Sequence, residues 1–420
     1  MSAAKYYCAL LAAAKYAQTT SLRLSRTRIL TLVEMGRGGD GSHRRTRRTA
    51  ERSPAAPPPF TLKELRNAVP PHCFQRSLLR SGAYLAADCL GAALVYYAAT
   101  GINGSLQPEY AKALLWVFYA LVQGTLCTGI WVIAHECGHG AFSEHCLLND
   151  ALGLVLHSAL LVPYFSWKFS HARHHAGTGS LSRDEVFVPP TAAQAREQAA
   201  WKATAPGRAL LLAATLTLGW PLYLVKNAGS SKYAGKHADH FWPWSPVFLN
   251  SRERALVALS DVSLLLVFYG LRCAAQAHGI AFLMRVYIAP YLVVNAWLVT
   301  ITLLQHTHRA LPHFSGAEWN WLRGACSTMD RDYGWMLNTL HHHIADTHVC
   351  HHIFSAMPHY HAVEATQALR RVMGPYAPRD DGNVFRALWR DWCDCAYVDG
   401  DQGASPDVQW YRSGAPAKSQ

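Results

Sequence analysis

Histidine is the residue type in this chain most able to do chemistry, and it recurs in three short clusters. The clusters read HECGH at 135–139, HARHH at 171–175 and HVCHH at 348–352. On a helix, positions i, i+3 and i+4 share one face, so the imidazoles of each cluster can converge on one point. Imidazole is the commonest metal ligand in proteins. The spacing therefore predicts three multidentate metal-binding faces, formed by His135, His139, His171, His174, His175, His348, His351 and His352.

The spacing leaves two classes of site open. The first cluster also fits H-E-x-x-H, in which His135 and His139 bind zinc and Glu136 is the general base of a metalloprotease. A catalytic zinc takes only three protein ligands, which leaves the other convergent histidines without a role. Eight imidazoles favour two metal ions, and iron, copper, zinc and nickel all suit this ligand. Two redox metals beside a bilayer indicate oxygen chemistry on a lipid, because an acyl chain offers no group for acid–base or nucleophilic attack.

Apolar segments must position the three clusters. Crossing a hydrocarbon core of ~30 Å requires about 20 apolar residues, and four segments come close to that length: 82–100, 113–133, 255–271 and 286–304. Two weaker segments, 151–165 and 209–225, are too short or are interrupted by Gly219 and Pro221. If the clusters form one site, an even number of crossings separates each pair, so we place both weaker segments in the membrane interface.

The predicted fold is an all-α integral membrane protein with four transmembrane helices in two hairpins, interfacial helices and a cytosolic, histidine-rich cap for two metals. Basic residues concentrate in the segments that carry the clusters, which predicts that these segments and both termini face the cytosol. The predicted order is an N-terminal extension at 1–34, a partly disordered cytosolic segment at 35–80, the first hairpin at 81–134, a region with the first two clusters at 135–254, the second hairpin at 255–305 and a C-terminal region with the third cluster at 306–420.

Composition narrows the class of protein further. The chain is 50% hydrophobic and 16% charged, with a formal net charge of +12. No basic helix with interleaved aromatic residues accompanies this charge, which favours anionic lipid headgroups over nucleic acid as its partner. The eleven cysteines are scattered and form no C-x-x-C pair, so neither a disulfide framework nor a zinc ribbon is indicated. Residues 1–34 have the composition of a transit peptide, or precede a true start at Met35.

Longer motifs around the clusters resemble those of the membrane fatty acid desaturases. The motifs are PYFSWKFSHARHHAGTGSLSRDEVFVP at 163–189, LGWPLYL at 218–224, LQHTHRALPHF at 304–314, WNWLRGACSTMDRDYG at 319–334 and MPHYHAVEAT at 357–366. The chain is most similar to the microsomal delta-12 (omega-6) oleate desaturases of plants and algae, from about Met35 to Tyr411. This resemblance implies a non-haem di-iron centre held by the eight cluster histidines and His306, with His308 as the fallback for His306.

The resemblance also implies a reaction and its partners. With O2 as co-substrate, hydrogen is removed from carbons 12 and 13 of an oleoyl chain, carried by phosphatidylcholine in the endoplasmic reticulum. Electrons come from cytochrome b5 and NADH-cytochrome b5 reductase. A homodimer, or a heterodimer with another desaturase, is a further expectation. A hydroxylase, a conjugase or an omega-3 desaturase would share every ligand, and a transit peptide at 1–34 would direct the chain to a plastid membrane instead.

Acidic residues beside the clusters are candidates to accept the free N–H of a ligating imidazole and so fix its tautomer. These candidates are Glu136, Asp184, Glu185 and Asp346. Further histidines receive other roles. We expect His359 and His361 to lie around the site or on the surface, and His157 to be a buried, hydrogen-bonded histidine.

Overall fold

The computed structural model of the chain describes residues 51–230, 233, 235–401, 405–414 and 416. The predictions for the extension at 1–34 and for a start at Met35 concern residues outside these ranges. The described helices, in chain order, are α1 Leu62–Ala68, α2 Leu78–Thr100, α3 Glu109–Gly138, α4 Cys146–Ala159, α5 Tyr164–Gly177, α6 Ala192–Arg196, α7 Ala205–Lys226, α8 Ser251–His278, α9 Ile280–Leu283, α10 Ala289–His306, α11 Trp321–Ala325, α12 Trp335–Leu340, α13 His348–Ile353, α14 His359–Met373 and α15 Val384–Asp394.

Shorter elements complete the described chain. A π-helical turn at Met284–Ile288 joins α9 to α10, and four 3₁₀ turns lie at Pro71–Phe74, Ala200–Ala203, Gly316–Glu318 and Gly374–Tyr376. The strands are β1 Pro312–Phe314, β2 Asp330–Arg331, β3 Arg379–Asp380, β4 Tyr397–Gly400 and β5 Val408–Arg412. Strand β5 lies between β1 and β4 in an antiparallel sheet, while β2 and β3 form a two-residue parallel pair.

The two predicted transmembrane hairpins are present, and the chain is mostly helical as expected. Helices α2 and α3 form the first hairpin, and α8 with the continuous stretch Ile280–His306 forms the second; all four are long and apolar enough to span a membrane. Each helix extends beyond its predicted apolar segment by a few residues, because polar residues continue the helix where the hydropathy signal ends. The all-α membrane fold class is thus confirmed.

Close packing of α3 against α10 joins the two hairpins. A Cβ atom on Gly124 would lie 2.5 Å from Cβ of Val293, so glycine is required for this approach of the two backbones. Pro290 has no N–H for the carbonyl of Val286, four residues earlier, and the hydroxyl of Tyr119 donates to that oxygen at 3.1 Å instead. A polar group within the membrane-spanning region is thereby satisfied by the neighbouring hairpin.

Helix α7, which contains the weaker segment 209–225, also meets the length and hydropathy of a membrane span. Its contacts nevertheless support the predicted interfacial position. At its first turn the backbone carbonyl of Arg208 accepts from the indole N–H of Trp392 on α15 at 2.9 Å. Near its last turn the hydroxyl of Tyr223 lies 2.9 Å from that of Ser170 on α5. Both ends of α7 therefore contact helices of the cap, and its interfacial position stays a prediction.

The segment 151–165 is divided rather than continuous. Helix α4 ends at Ala159, Leu161 adopts a left-handed φ of 55°, and α5 begins after Pro163, with 107° between the two helix axes. A proline at the start of a helix needs no N–H and stops the preceding helix from continuing. The turn leads α5, with its three histidines, away from α4.

A buried ion network fixes the C-terminal part of the cap to the end of α10. Arg331 donates to Asp380 at 2.7 Å, to Asp391 at 2.5 Å and to the carbonyl of Leu304 at 2.6 Å. Its side chain is 2% exposed, and Arg390 supplies the second positive charge. Since Leu304 lies two residues before His306, this network holds the last turn of the helix that carries His306.

We expect Arg331→Met to lower the free energy of unfolding by about 3–5 kcal/mol, because the two buried carboxylates keep only Arg390 and lose the more deeply buried guanidinium. Denaturation of the purified protein in detergent measures this loss. Arg379, whose side chain is 40% exposed while it pairs with Asp332 and Asp381, provides the matched control: Arg379→Met should change stability by less than about 1 kcal/mol. Equal effects in both variants would contradict the role of the buried network.

Candidate metal centre

The predicted histidines converge in two groups. In the first, the ligand atoms of five imidazoles lie within 4.8 Å of one another: His135, His139, His171, His175 and His351. In the second, the same limit holds for His174, His306 and His352, and Nε2 of His348 lies 3.1 Å from Nε2 of His306. The first group thus has five histidines and the second has four. His306 takes the position predicted for the extra ligand.

Four helices bring these residues together. Helix α3 ends with the first cluster, α5 carries the second, α10 ends at His306 and α13 carries the third. Asp330 fixes the position of the short α13. Its carboxylate accepts from the backbone N–H of Val349 in α13 at 2.9 Å and from Arg370 of α14 at 2.6 Å. Each cluster therefore lies on a helix end or a short helix anchored by tertiary contacts.

The second and third clusters each divide between the two groups. We expected each cluster to converge on one point, and this is wrong for both H-x-x-H-H clusters. His171 and His175 join the first group while His174 joins the second; His348 and His352 join the second group while His351 joins the first. Neighbouring positions on a helix are rotated by about 100°, so positions i+3 and i+4 diverge to opposite sides of position i.

The nitrogen spacing within each group fits metal coordination. Nε2 atoms lie 2.9 Å apart for His135 and His171, 3.2 Å for His171 and His175, and 3.2 Å for His174 and His306. Bonds of about 2.0–2.1 Å at angles of 90–109° place neighbouring ligand nitrogens about 2.8–3.4 Å apart. Moreover, the buried Nε2 atoms of His351 and His352 have no hydrogen-bond partner among the described residues.

The surroundings of several of these imidazoles favour the neutral form. Seven of the nine histidines are buried and the other two are partly buried. Burial, reinforced by neighbouring charges, lowers the pKa of His139 and of His348 to about 3, and that of His351 and His352 well below the ordinary value. A neutral imidazole has a free lone pair, which is the form that binds a metal ion.

A largely apolar cavity of about 380 Å³ reaches both histidine groups. One wall is a single face of α7, with residues at helical spacing: Leu211, Ala214, Thr215, Leu218, Gly219 and Leu222. The opposite wall comes from α10 and includes Leu298, Val299 and Thr302. The inner surface includes His135 and His171 of the first group, and His174, His306 and His348 of the second. The shape and lining suit an apolar chain that approaches both groups.

Comparisons with known proteins match this arrangement. The family model described as "Fatty acid desaturase" matches residues 113–382. The chain belongs to the fatty acid desaturase family. This desaturase is therefore an oxidoreductase that acts on acyl lipids, and the zinc-protease alternative gains no support. A second family model, a domain of unknown function, matches residues 9–96.

Individual relatives cover most of this desaturase. A delta(12)-acyl-lipid-desaturase of Punica granatum is 50% identical over 89% of this chain and 96% of the relative. An omega-6 fatty acid desaturase of Glycine max, an endoplasmic reticulum isozyme, is 51% identical over 86% of this chain and 92% of its own length. An oleoyl-12-hydroxylase of Ricinus communis is 48% identical over 86% of this chain and 94% of its own length. The names of the first two relatives denote desaturases, whereas the name of the third denotes a hydroxylase.

One predicted acidic partner of the desaturase histidines is found where expected. Asp184 Oδ1 lies 2.6 Å from Nδ1 of His174, and both side chains are buried. The second carboxylate oxygen of Asp184 accepts from the backbone N–H of Gly179 at 3.1 Å. The carboxylate can thus orient the His174 ring and fix which nitrogen faces the second group.

The other predicted acidic partners contact different groups. Glu136 accepts from the backbone N–H of His359 at 3.0 Å and contacts its Nδ1 at 3.0 Å. Asp346 contacts His343 at 3.0 Å, and Glu185 accepts from Tyr233 at 2.9 Å. In the described contacts, Glu136 and Asp346 each meet a histidine that lies outside both groups, and their orienting role stays a prediction.

The remaining predicted histidines lie outside both groups. His308, the fallback ligand, is buried beside Asp380 and Asp391 and accepts from the N–H of Ala310. His361 is partly buried. His157 is buried as predicted, with Nε2 3.3 Å from the carbonyl of Trp131.

Two tryptophans and a threonine complete the surroundings, and the sequence analysis missed them. Trp167 stacks on His171 at 4.6 Å between ring centroids, and Trp131 stacks on His135 at 5.6 Å. Each tryptophan precedes its histidine by four residues, a helical spacing that could have identified both. The hydroxyl of Thr178 lies 3.2 Å from Nδ1 of His352, a contact between sequence positions too distant for any local pattern.

We expect Asp184→Asn to weaken metal binding by about 10–100-fold, because a neutral amide replaces the charged carboxylate that accepts from the His174 ring N–H. Iron content after reconstitution with Fe²⁺ and dialysis measures the effect. Asp346→Asn is the matched control: this carboxylate contacts His343, which belongs to neither group, so its iron content should equal that of the wild type. An unchanged iron content in Asp184→Asn would contradict the orienting role.

Proposed function

We propose that this desaturase is a delta-12 (omega-6) enzyme, which inserts a cis double bond into lipid-linked oleoyl chains to give linoleoyl chains, with O2 as co-substrate. The observation that carries the proposal is the apolar cavity between α7 and α10, which reaches histidines of both groups. Relatives about 50% identical over most of the chain, named as delta-12 or omega-6 desaturases, support the same regiochemistry.

We infer that the two histidine groups hold two iron ions. His135, His139, His171, His175 and His351 would bind one ion, and His174, His306, His348 and His352 the other. Bound iron would supply the activation of O2. A zinc ion would give no redox chemistry, and the number of neutral imidazoles exceeds what one catalytic zinc needs.

The chain itself contributes positioning and a dry environment. The face of α7 and the apolar residues of α10 would bind the acyl chain by burial of its methylene groups. Trp131 and Trp167 cover His135 and His171 and exclude water from that side. Held in this way, one pair of methylenes lies at the histidine groups while the rest of the chain is fixed, which favours reaction at a single position.

We further propose that the acyl carrier is phosphatidylcholine in the endoplasmic reticulum membrane, with the histidine groups on the cytosolic side. The Glycine max relative, named as an endoplasmic reticulum isozyme, supports this compartment. Electrons would come from cytochrome b5 and its NADH-dependent reductase. A basic net charge of +12 suits a surface beside anionic headgroups and an acidic electron donor.

Oleate hydroxylation is the second candidate function, since the Ricinus communis relative is 48% identical. Expression in a host that makes oleate but no polyunsaturated lipid distinguishes the two. We expect linoleate, detected as its methyl ester by gas chromatography and mass spectrometry. Ricinoleate as the main product would favour the hydroxylase, and a conjugated or omega-3 product would overturn delta-12 desaturation.

Metal analysis and ligand substitution test the proposed centre. We expect about two irons per chain, because two separate histidine groups are present. His351→Ala should abolish linoleate formation, since it removes a buried ligand of the first group, while the amount of membrane-inserted protein stays the same. One zinc per chain and no iron in active protein would overturn the di-iron proposal.

Filling the cavity tests the proposed acyl site. Ala214 lines the cavity, whereas Ala213 is exposed on the other side of the same helix. We expect Ala214→Trp to reduce linoleate formation by about tenfold or more, because the indole occupies the position of the acyl chain, while iron content is unchanged. Ala213→Trp should retain wild-type activity. Equal activity of the two variants would show that the acyl chain binds elsewhere.

A further inference from the structure

Four potential metal ligands converge at a place outside the two histidine groups. They are His72, Cys73, His361 and Glu364, and their ligand atoms all lie within 4.8 Å of one another. His72 and Glu364 have half-exposed side chains, His361 is partly buried, and Cys73 is fully buried. The proposed desaturation uses none of these residues.

Two distant segments build this cluster. The 3₁₀ turn Pro71–Phe74 places the adjacent His72 and Cys73, while His361 and Glu364 lie three residues apart on one face of α14. The backbone N–H of Ser77 donates to the hydroxyl of Tyr360 at 2.8 Å, which holds the two segments together beside the cluster. The convergence therefore depends on tertiary structure and not on a local sequence motif.

The distances suit a small tetrahedral ion. Sγ of Cys73 lies 3.6 Å from Nε2 of His72, and the same nitrogen lies 2.9 Å from Oε2 of Glu364. The rings of His72 and His361 are 5.4 Å apart between centroids. Zinc bonds of about 2.3 Å to sulfur and 2.0–2.1 Å to nitrogen place the two ligand atoms about 3.6 Å apart at a tetrahedral angle.

The charges of the four side chains can balance those of a divalent cation. Burial, together with the charge of Glu364, raises the pKa of the Cys73 thiol to about 11. A divalent ion would offset the repulsion between the Cys73 thiolate and the Glu364 carboxylate, because these two groups neutralise its two charges. A set of one sulfur, two imidazole nitrogens and one carboxylate oxygen is a donor set that zinc accepts. The half-exposed His72 and Glu364 leave a path for the ion from solvent.

We propose that His72, Cys73, His361 and Glu364 form a structural zinc site that clamps the N-terminal segment to α14. On binding, a sulfur–zinc bond forms as the S–H bond of Cys73 breaks, and one proton is released to solvent without any change of oxidation state. Helix α14 packs beside α13, which carries the third histidine cluster. The zinc site would therefore stabilise the helix against which this cluster packs. The site is independent of the proposed acyl chemistry.

Cobalt absorption distinguishes this site from the histidine groups. The ligand sets of those two groups contain only histidine, so thiolate-to-cobalt charge-transfer absorption reports on a cysteine ligand alone. Full-length protein in detergent, with its iron centre loaded, is titrated with Co²⁺ and then with Zn²⁺. We expect the charge-transfer band to appear with one equivalent of Co²⁺, to vanish on addition of Zn²⁺, and to be absent from Cys73→Ser. Cys146→Ser, in which an exposed cysteine is changed, should keep the band.

A second variant tests the site independently of whether Cys73→Ser folds. Glu364→Gln changes a half-exposed side chain, and we expect it to raise the Co²⁺ concentration at half-saturation by about tenfold or more. The control is Glu197→Gln, which changes an exposed glutamate directly after α6 and should leave this concentration unchanged. Zn²⁺ should raise the thermal midpoint of the wild type and not that of Glu364→Gln. A band that persists in Cys73→Ser, an equal half-saturation in Glu364→Gln, or cobalt binding by the wild type without the band would overturn the site.

Discussion

The convergence of nine imidazoles from four separate helices is the constraint on which the rest of the structure depends. A protonated imidazole cannot bind a metal ion, and protonation of several at once would place like charges within a few ångströms. Burial prevents this, since it lowers the pKa of His351 and His352 well below the ordinary value. The helix ends, the buried ion network and the tryptophan covers all serve to keep these side chains dry and close.

Helix geometry explains how so few segments can serve two groups. In an H-x-x-H-H cluster, the third and fourth residues after the first are rotated to opposite sides of it. The i, i+4 pair of α5 faces the first group, whereas the i, i+4 pair of α13 faces the second. Each of these helices thus contributes to both groups, and the separation of the groups is fixed by rigid secondary structure. A single-metal site would need no such alternation.

Sequence reasoning predicted the histidines that converge and the two hairpins, but not all of the contacts around those histidines. Spacing and hydropathy are local signals, and they sufficed for α2, α3 and the three clusters. Asp184 was found because it follows its partner His174 by only ten residues. The contact of Glu136 could not be predicted, because its partner His359 lies 223 residues away and is brought near only by the packing of α14. The grouping of ligands likewise depends on the relative rotation of helices, which spacing does not encode.

Helix α7 shows why apolar length alone does not determine membrane topology. Three crossings between α5 and α13 would place the second and third clusters on opposite sides of the bilayer, yet their histidines share both groups. The contacts of Arg208 with α15 and of Tyr223 with α5 keep both ends of α7 on the cap. Its apolar character has another physical basis, since one face lines the cavity that reaches the histidines. A helix that forms the wall of an apolar chain's site must be hydrophobic whether or not it crosses the membrane.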